Sequence, residues 1–134
     1  MRYLLDTDWA VFSLRGRRDV AERIRALRGE GLAISTITLA ELFTGVHRSK
    51  NPEQAAEGLR RFLRGVTTLP FTEEVSERFG QENARLLTSG QPLDPFDLAI
   101  ASTALRHGLT LLSENRKHYE RIVGLKLESL SRKS

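Results

Sequence analysis

Residues 2–8 read Arg2-Tyr3-Leu4-Leu5-Asp6-Thr7-Asp8, and they contain the first apolar segment of the chain. An apolar run ends at the carboxylate of Asp6, a pattern that predicts a short buried strand stopped by an acid. In open α/β sheets, ligands bind outside the carboxyl ends of the strands. We therefore expect Asp6 to lie at the functional edge of a sheet.

The composition is typical of an ordinary globular domain. The chain has 134 residues, 40% of them hydrophobic and 28% charged, which is long enough to bury a core without cross-links. It contains no cysteine, so any metal needs oxygen or imidazole ligands. No apolar run approaches the roughly 20 residues of a membrane-spanning helix, and no signal-peptide pattern precedes the first strand. We predict a cytoplasmic protein with one domain, residues 1–130, and a polar tail, residues 131–134.

The charge balance is modestly basic. The formal net charge is +4, from 21 Lys and Arg against 17 Asp and Glu. Arginine favours bidentate contacts with phosphate, so this excess permits a nucleic-acid partner. It fits a solvated basic surface equally well.

Short apolar segments alternate with helical ones along the chain. Strand patterns at 32–35, 66–69, 109–112 and 125–127 follow the first strand, and amphipathic segments fill the intervals. This alternation implies right-handed βαβ crossovers. We predict an α/β fold, a three-layer α/β/α sandwich with a central, mainly parallel sheet.

Four polar side chains follow predicted strands or begin the next helix: Asp6, Glu41, Asp97 and Asn115. Because the carboxyl ends of parallel strands share one edge, we expect these side chains to meet. Crowded carboxylates repel one another unless a cation lies among them. Oxygen ligands suit Mg²⁺ or Mn²⁺, and such a metal activates water for attack at phosphorus.

Two of these acids also have a purely structural explanation. Glu41 fits a capping box with Thr38, and Asp97 fits the third position of a helix that Asp94 caps. A second acid one turn into that helix is nevertheless more than a cap requires.

Four segments, taken in this order, resemble PIN-domain proteins, and among them the VapC-type toxins of type II toxin–antitoxin pairs. They are YLLDTD (3–8), STITLAEL (35–42), DLAIA (97–101) and LLSEN (111–115). The resemblance implies a Mg²⁺- or Mn²⁺-dependent ribonuclease in which Asp6, Glu41 and Asp97 hold metal and position the attacking water. The fourth position of the family's motif falls on Asn115, whose neutral amide holds metal less firmly. Whether one or two metal ions bind is therefore left open.

The resemblance also implies supporting residues and partners. Thr7 and Ser113 are expected to hydrogen-bond to the ligand carboxylates. The expected partners are an RNA substrate, a VapB-type antitoxin and a second copy in a homodimer, or a larger hetero-oligomer with the antitoxin. The candidate phosphate contacts are Arg116, Lys117 and His118. We hypothesise that the antitoxin binds a groove lined by Trp9, Phe12, Phe43, Val46 and Phe62, although these residues also fit an ordinary core.

Two other functions remain open at this point. Asp6 and Asp8 resemble the nucleophile motif of haloacid-dehalogenase-like phosphatases, in which Asp6 would be phosphorylated. Against this, Ala10 stands where that family has Thr or Val. The other alternative is a non-catalytic RNA- or partner-binding module whose acids only cap helices. A trapped phosphoenzyme would favour the first, and an Asp97→Asn variant with unchanged behaviour would favour the second.

Overall fold

The computed structural model describes residues 1–130, and strands alternate with helices throughout them. In chain order the elements are β1 (Tyr3–Leu5), α1 (Thr7–Leu14), α2 (Arg18–Leu27), a 3-10 turn (Arg28–Glu30), β2 (Leu32–Ser35), α3 (Thr36–Arg48), α4 (Pro52–Leu63), β3 (Thr67–Leu69), α5 (Glu73–Thr88), α6 (Pro95–His107), β4 (Thr110–Leu112), α7 (Arg116–Tyr119) and β5 (Lys126–Glu128). The predicted polar tail, residues 131–134, lies outside the described residues.

The strands form one five-stranded parallel sheet in the order β3-β2-β1-β4-β5. The first strand is central, and Leu4 lies opposite Ala33 on one side and Leu111 on the other. The chain builds one half of the sheet from β1 outward and then returns to add β4. The topological switch point therefore lies between β1 and β4, where open α/β sheets bind ligands. The predicted sandwich is confirmed.

Two hydrophobic clusters cover the two faces of the sheet. Side chains of a strand point alternately to opposite faces, so Tyr3 and Leu5 belong to one cluster and Leu4 to the other. The first cluster packs against α1 to α4, and the second against α5 to α7. No helix within residues 1–130 has the length and hydropathy to cross a bilayer.

The start of α3 differs from the prediction. Ser35 is the N-cap, and its side chain accepts the Thr38 N–H at 3.0 Å. Ser35 ends β2 with an extended backbone, the conformation that an N-cap requires. Thr38 is therefore the third helical residue, and the predicted capping box of Thr38 and Glu41 is wrong. Glu41 lies almost two turns into the helix and serves no cap.

The start of α6 follows the prediction. The Asp94 side chain accepts the N–H groups of Phe96 and Asp97 at 2.8 and 3.2 Å, and Pro95 is the first helical residue. Gly108 ends the helix in the left-handed conformation at φ 67, which costs glycine no steric clash. Since Asp94 alone makes the cap, the Asp97 carboxylate is not needed for it.

Candidate active site

Asp6 is held between β1 and β4. Its side chain is the N-cap of α1 and accepts the Trp9 N–H at 2.9 Å, while its own N–H donates to the Leu112 carbonyl at 3.1 Å. The Ser113 hydroxyl also hydrogen-bonds to its carboxylate, as predicted. Only 4% of Asp6 is exposed. The carboxylate is therefore fixed in a desolvated position at the switch point.

The surroundings of Asp6 disfavour its charged form. Burial is the main cause that raises the pKa of Asp6 to about 7, and the charges of Asp8 and Asp97 add to it. The hydrogen bonds from Ser113 and Trp9 act in the opposite direction. Near neutral pH this carboxylate is ionised at a free-energy cost, which a bound cation would offset.

Asp97, in the first turn of α6, is also crowded by other acids. It is half-buried, and desolvation raises its pKa, with further increases from the charges of Asp94, Glu41 and Asp8. His118 acts in the opposite direction. The acids predicted to meet at this edge are therefore close enough to influence one another. Asp8, in the first turn of α1, belongs to the same group by its charge.

Glu41 is held at this edge by a hydrogen bond from Thr7. The sequence predicted that Thr7 would bond to a ligand carboxylate but not which one. Glu41 Oε1 accepts a hydrogen bond from the Thr7 hydroxyl at 2.5 Å, and Thr7 Oγ1 also lies 3.0 Å from Thr38 Oγ1. Thr7 directly follows Asp6 in the chain. The bond therefore joins the start of α1 to the second turn of α3 and holds Glu41 beside the Asp6 segment.

Asn115 and α7 complete the edge after β4. Asn115 Nδ2 lies 2.8 Å from His118 Nδ1, and this nitrogen lies 3.9 Å from Asp97 Oδ2. Burial, and then the nearby charges of Asp6 and Asp97, raise the pKa of the Tyr119 phenol, and a side-chain interaction with Asp97 adds to this increase. Sequence reasoning missed Tyr119. The available signal was a tyrosine four residues after Asn115, on the helix that follows the last strand of the site.

The carboxylate oxygens at this edge supply part of the ligand set that a hard divalent cation needs. Within residues 1–130 no three His, Cys, Asp or Glu side chains are arranged to hold one metal together, so the ligand set of Asp6, Glu41 and Asp97 stays a prediction. Asp6 and Asp97 are coupled by charge and offer only oxygen. Mg²⁺ often uses one or two carboxylates and keeps several of its waters. Two negative, partly desolvated carboxylates with solvent nearby fit that chemistry.

The geometry of an acidic edge at the switch point agrees with what comparison with known proteins finds. The PIN domain family matches residues 3–124. The chain belongs to the PIN-domain family. A curated relative, the tRNA(fMet)-specific endonuclease VapC of Shigella flexneri, is 31% identical over 132 residues and covers 98% of this chain and 99% of its own length. The VapC-type resemblance seen in the sequence is confirmed.

Solved structures agree with this assignment. VapBC2 from Rickettsia felis, bound to a DNA fragment from their promoter, matches with a TM-score of 0.90 and 33% identity over 96% of this chain and 98% of that one. DNA-bound VapBC from Salmonella typhimurium matches with a TM-score of 0.90 and 29% identity over 96% and 98% of the two chains. Because the chain belongs to the PIN-domain family, the haloacid-dehalogenase-like phosphatase is no longer an alternative.

Glu114 of this PIN domain has a structural role. Its Oε2 accepts the indole N–H of Trp9 at 3.0 Å and the Leu130 N–H at 2.8 Å. The carboxylate thus ties the end of the described chain to the core. Trp9 itself is 0% exposed, because it packs between α1 and the sheet rather than lining a surface.

A groove of about 780 Å³ lies between α1, α3 and α4 of the PIN domain, and Glu41 is one of its lining residues. Of the five residues predicted to line an antitoxin groove, Val46 does so. The hypothesis is wrong for Trp9 and Phe62, which are buried in the core. The lining combines apolar side chains with cations: Val11, Leu14, Leu42, Val46, Ala55 and Leu59 with Arg15, Arg48 and Arg61.

The three candidate phosphate contacts lie on α7, directly after Asn115. Arg116 Nε lies 3.6 Å from Glu120 Oε2, an exposed i,i+4 pair that contributes little stability. Lys117 and His118 are exposed. His118 lies beside Asp97, so these side chains are at the site, but their binding of RNA stays a prediction.

Proposed function

We propose that this PIN domain is a metal-dependent endoribonuclease and the toxin of a VapBC-type toxin–antitoxin pair. The observation that carries the proposal is the crowding of Asp6 and Asp97 at the sheet's carboxyl edge, where burial and the charges of neighbouring acids raise the pKa of both. Carboxylates kept in such a place are unfavourable for stability and favour binding of a cation. Curated relatives are named ribonucleases of the VapC type.

In the proposed mechanism Asp6 and Asp97 would hold the metal, with Glu41 as the third acid. Mg²⁺ or Mn²⁺ bound there would supply positive charge to stabilise the phosphate oxygens during an in-line displacement. Glu41, oriented by the Thr7 hydroxyl, positions the attacking water. Water attacks phosphorus and loses a proton to solvent as the bond to the leaving oxygen breaks, and the leaving oxygen takes up a proton in turn. Asn115 holds His118 against the same edge.

RNA is the proposed substrate, and α7 is its proposed phosphate contact. Arg116, Lys117 and His118 place cationic or neutral donors next to the acids, where a negative backbone would otherwise be repelled. The protein would act in the cytoplasm, where its RNA substrates are. The name of the Shigella relative makes tRNA(fMet) a substrate to include in any test.

The proposed partners are a VapB-type antitoxin and a second copy of the chain. The groove between α1, α3 and α4 suits an amphipathic segment, because its apolar lining is bordered by arginines. An antitoxin segment there would lie beside Glu41. Leu14 lines the groove and is 40% exposed. Leu14→Asp should therefore weaken antitoxin binding at least about 10-fold, as a buried charge at an interface does, whereas Leu87→Asp, on an exposed leucine outside the groove, should not.

The direct test is cleavage of a mixed RNA pool, with transfer RNA included, by purified protein in Mg²⁺, in Mn²⁺ and in EDTA. The variants are Asp97→Asn and, as a matched control, Asp19→Asn, which makes the same change on α2 in an exposed pair with Arg17. We expect metal-dependent cleavage by wild type and by Asp19→Asn, and none by Asp97→Asn. A thermal melt should show that all three proteins fold.

Two results would contradict the proposal. Equal cleavage by wild type and Asp97→Asn would assign the activity to a contaminant. Absence of cleavage together with absence of Mg²⁺ or Mn²⁺ binding by wild type would favour the non-catalytic module, in which the acids are structural.

A further inference from the structure

The positive charge of this chain is unevenly distributed along the sequence. Residues 1–65 contain 12 Lys and Arg against eight Asp and Glu, whereas residues 66–134 contain nine of each. The whole formal net charge of +4 therefore belongs to the first half, which includes α1 to α4. Three of the eight acids in that half, Asp6, Asp8 and Glu41, belong to the acidic carboxyl edge, so the remaining surface is more basic still. Such an asymmetry is typical of proteins that bind nucleic acid.

Four of these cations lie where two neighbouring helices end. Helix α2 ends just before β2, α4 ends just before β3, and the two strands pair with Ala33 opposite Thr67. Both helix ends therefore lie at the amino edge of the sheet, opposite the acidic carboxyl edge. The four exposed arginines at these ends, called here the arginine patch, are Arg25, Arg28, Arg60 and Arg64.

A contact between Arg28 and Gly65 joins the two helix ends. The Arg28 guanidinium lies directly on the Gly65 backbone, and a side chain at position 65 would overlap its Nη1. The φ of Gly65 is not positive, so its backbone conformation does not require glycine. The glycine instead leaves the space in which the charge of Arg28, from the end of α2, lies beside Arg64 at the end of α4.

Helix dipoles explain these arginines only one at a time. A cation in the last turn of a helix is favourable, and Arg25 and Arg60 lie in such turns. Within residues 1–130 no carboxylate forms an ion pair with any of the four guanidinium groups. Like charges gathered without a counterion repel one another, and bound phosphates would offset that repulsion. Arginine is the side chain best suited to that contact.

We propose that the arginine patch binds the phosphate backbone of a folded RNA whose scissile strand lies at the acidic carboxyl edge. The inference rests on the proposed function for the position of that strand. The patch and the acids lie beyond opposite ends of β2, which has four residues and so spans about 13 Å. An RNA that contacts both edges must extend further than this, as a folded RNA does.

The test is the affinity for bulk transfer RNA, measured by fluorescence anisotropy in EDTA at several salt concentrations. Arg28→Ala/Arg64→Ala should lower the slope of log Kd against log salt by about 1.5 and weaken binding about 10-fold near physiological salt, as the loss of two phosphate contacts does. Arg106→Ala/Lys126→Ala is the matched control, because it removes the same charge from exposed cations of the second half, and it should bind as wild type does. Gly65→Leu keeps every charge but displaces Arg28, so it should also weaken binding. RNA cleavage by the patch variant should show a raised KM and an unchanged kcat.

Four results would overturn the proposal. The first is an unchanged salt slope for Arg28→Ala/Arg64→Ala, and the second is an equal loss in the control pair, since net charge alone would then explain the binding. The third is a wild-type Kd for Gly65→Leu, which would show that the place of Arg28 is irrelevant. The fourth is a patch variant that keeps its affinity for RNA and loses that for the antitoxin, because the patch would then bind protein. A wild type that binds transfer RNA through the patch but cleaves no RNA would contradict the proposed function and support the patch as an RNA-binding surface.

Discussion

Replacing Asp6 by asparagine should stabilise the protein at neutral and alkaline pH. Asp6 is buried at the switch point, and its pKa in the folded protein is raised to about 7 from 3.8. The folded state therefore binds a proton more tightly than the unfolded state does. Asparagine keeps the α1 cap, because its carbonyl oxygen accepts the Trp9 N–H, and it carries no charge.

The magnitude follows from the difference in pKa. The increase from 3.8 to about 7, at 1.36 kcal/mol per unit, corresponds to about 4 kcal/mol when Asp6 is fully ionised. The sign follows from proton linkage: between about pH 4 and pH 7 the folded state holds more protons, so wild-type stability falls as pH rises. The advantage of Asp6→Asn should be near zero at pH 4, grow through this window and level off above pH 7.

The assay is denaturant unfolding of both proteins between pH 4 and pH 8 without divalent metal. Asp19→Asn is the control of opposite sign, because its pairing with Arg17 lowers the pKa of Asp19, so that variant should lose stability above pH 4. Added Mg²⁺ should raise the stability of wild type and not that of Asp6→Asn, since a ligand stabilises the state that binds it.

A stability difference between Asp6→Asn and wild type that does not change with pH would refute this reasoning. So would a variant less stable than wild type at pH 8. Either result would mean that Asp6 is ionised in the folded protein at no cost and that its burial does not favour a cation.

Three further changes separate structural from functional contacts. Glu114→Ala should lower the unfolding free energy by about 1–3 kcal/mol, because it leaves the indole N–H of Trp9 buried without its acceptor. The variant should still fold and cleave RNA as wild type does. A loss of activity would place Glu114 in the site. Thr7→Val should lower kcat/KM for RNA cleavage about 10-fold, because it releases the Glu41 carboxylate. Thr44→Val is the control and should leave kcat/KM unchanged, since the Thr44 hydroxyl donates to the Ala40 carbonyl of the same helix. Equal effects of the two variants would remove Thr7 from the mechanism. Lys117→Ala should weaken RNA binding equally for all RNA sequences. The slope of log Kd against log salt concentration should fall by about 0.7, the value for one lost phosphate contact with a single strand. An unchanged slope would exclude a phosphate contact by Lys117.

Much of the fold could be predicted from local chemistry. The strand ending at Asp6 and the helix cap at Asp94 were both predicted, because each depends on a few neighbouring residues. The start of α3 was wrong by two to three residues, since Ser35 and Thr38 both satisfy the pattern of a cap and only the end of β2 selects Ser35.

The residues of the candidate site were predicted as a group, and their contacts were predicted only in part. Parallel strands bring their carboxyl ends to one edge, so the meeting of Asp6, Asp97 and Asn115 followed from the order of the elements. No periodic pattern indicated that Trp9 would be buried, because a single large aromatic on a short helix is compatible with a groove and with a core.

The polar residues that end the strands, most helix starts and the family resemblance could be read from local sequence, since these depend on residues adjacent in the chain. Which polar groups meet depends on the packing of distant segments. Trp9 and Glu114 are 105 residues apart, and Thr7 and Glu41 are 34 apart. Such pairs form because the sheet places β4 beside β1 and packs α3 against α1, and this placement minimises exposed apolar surface over the whole chain at once.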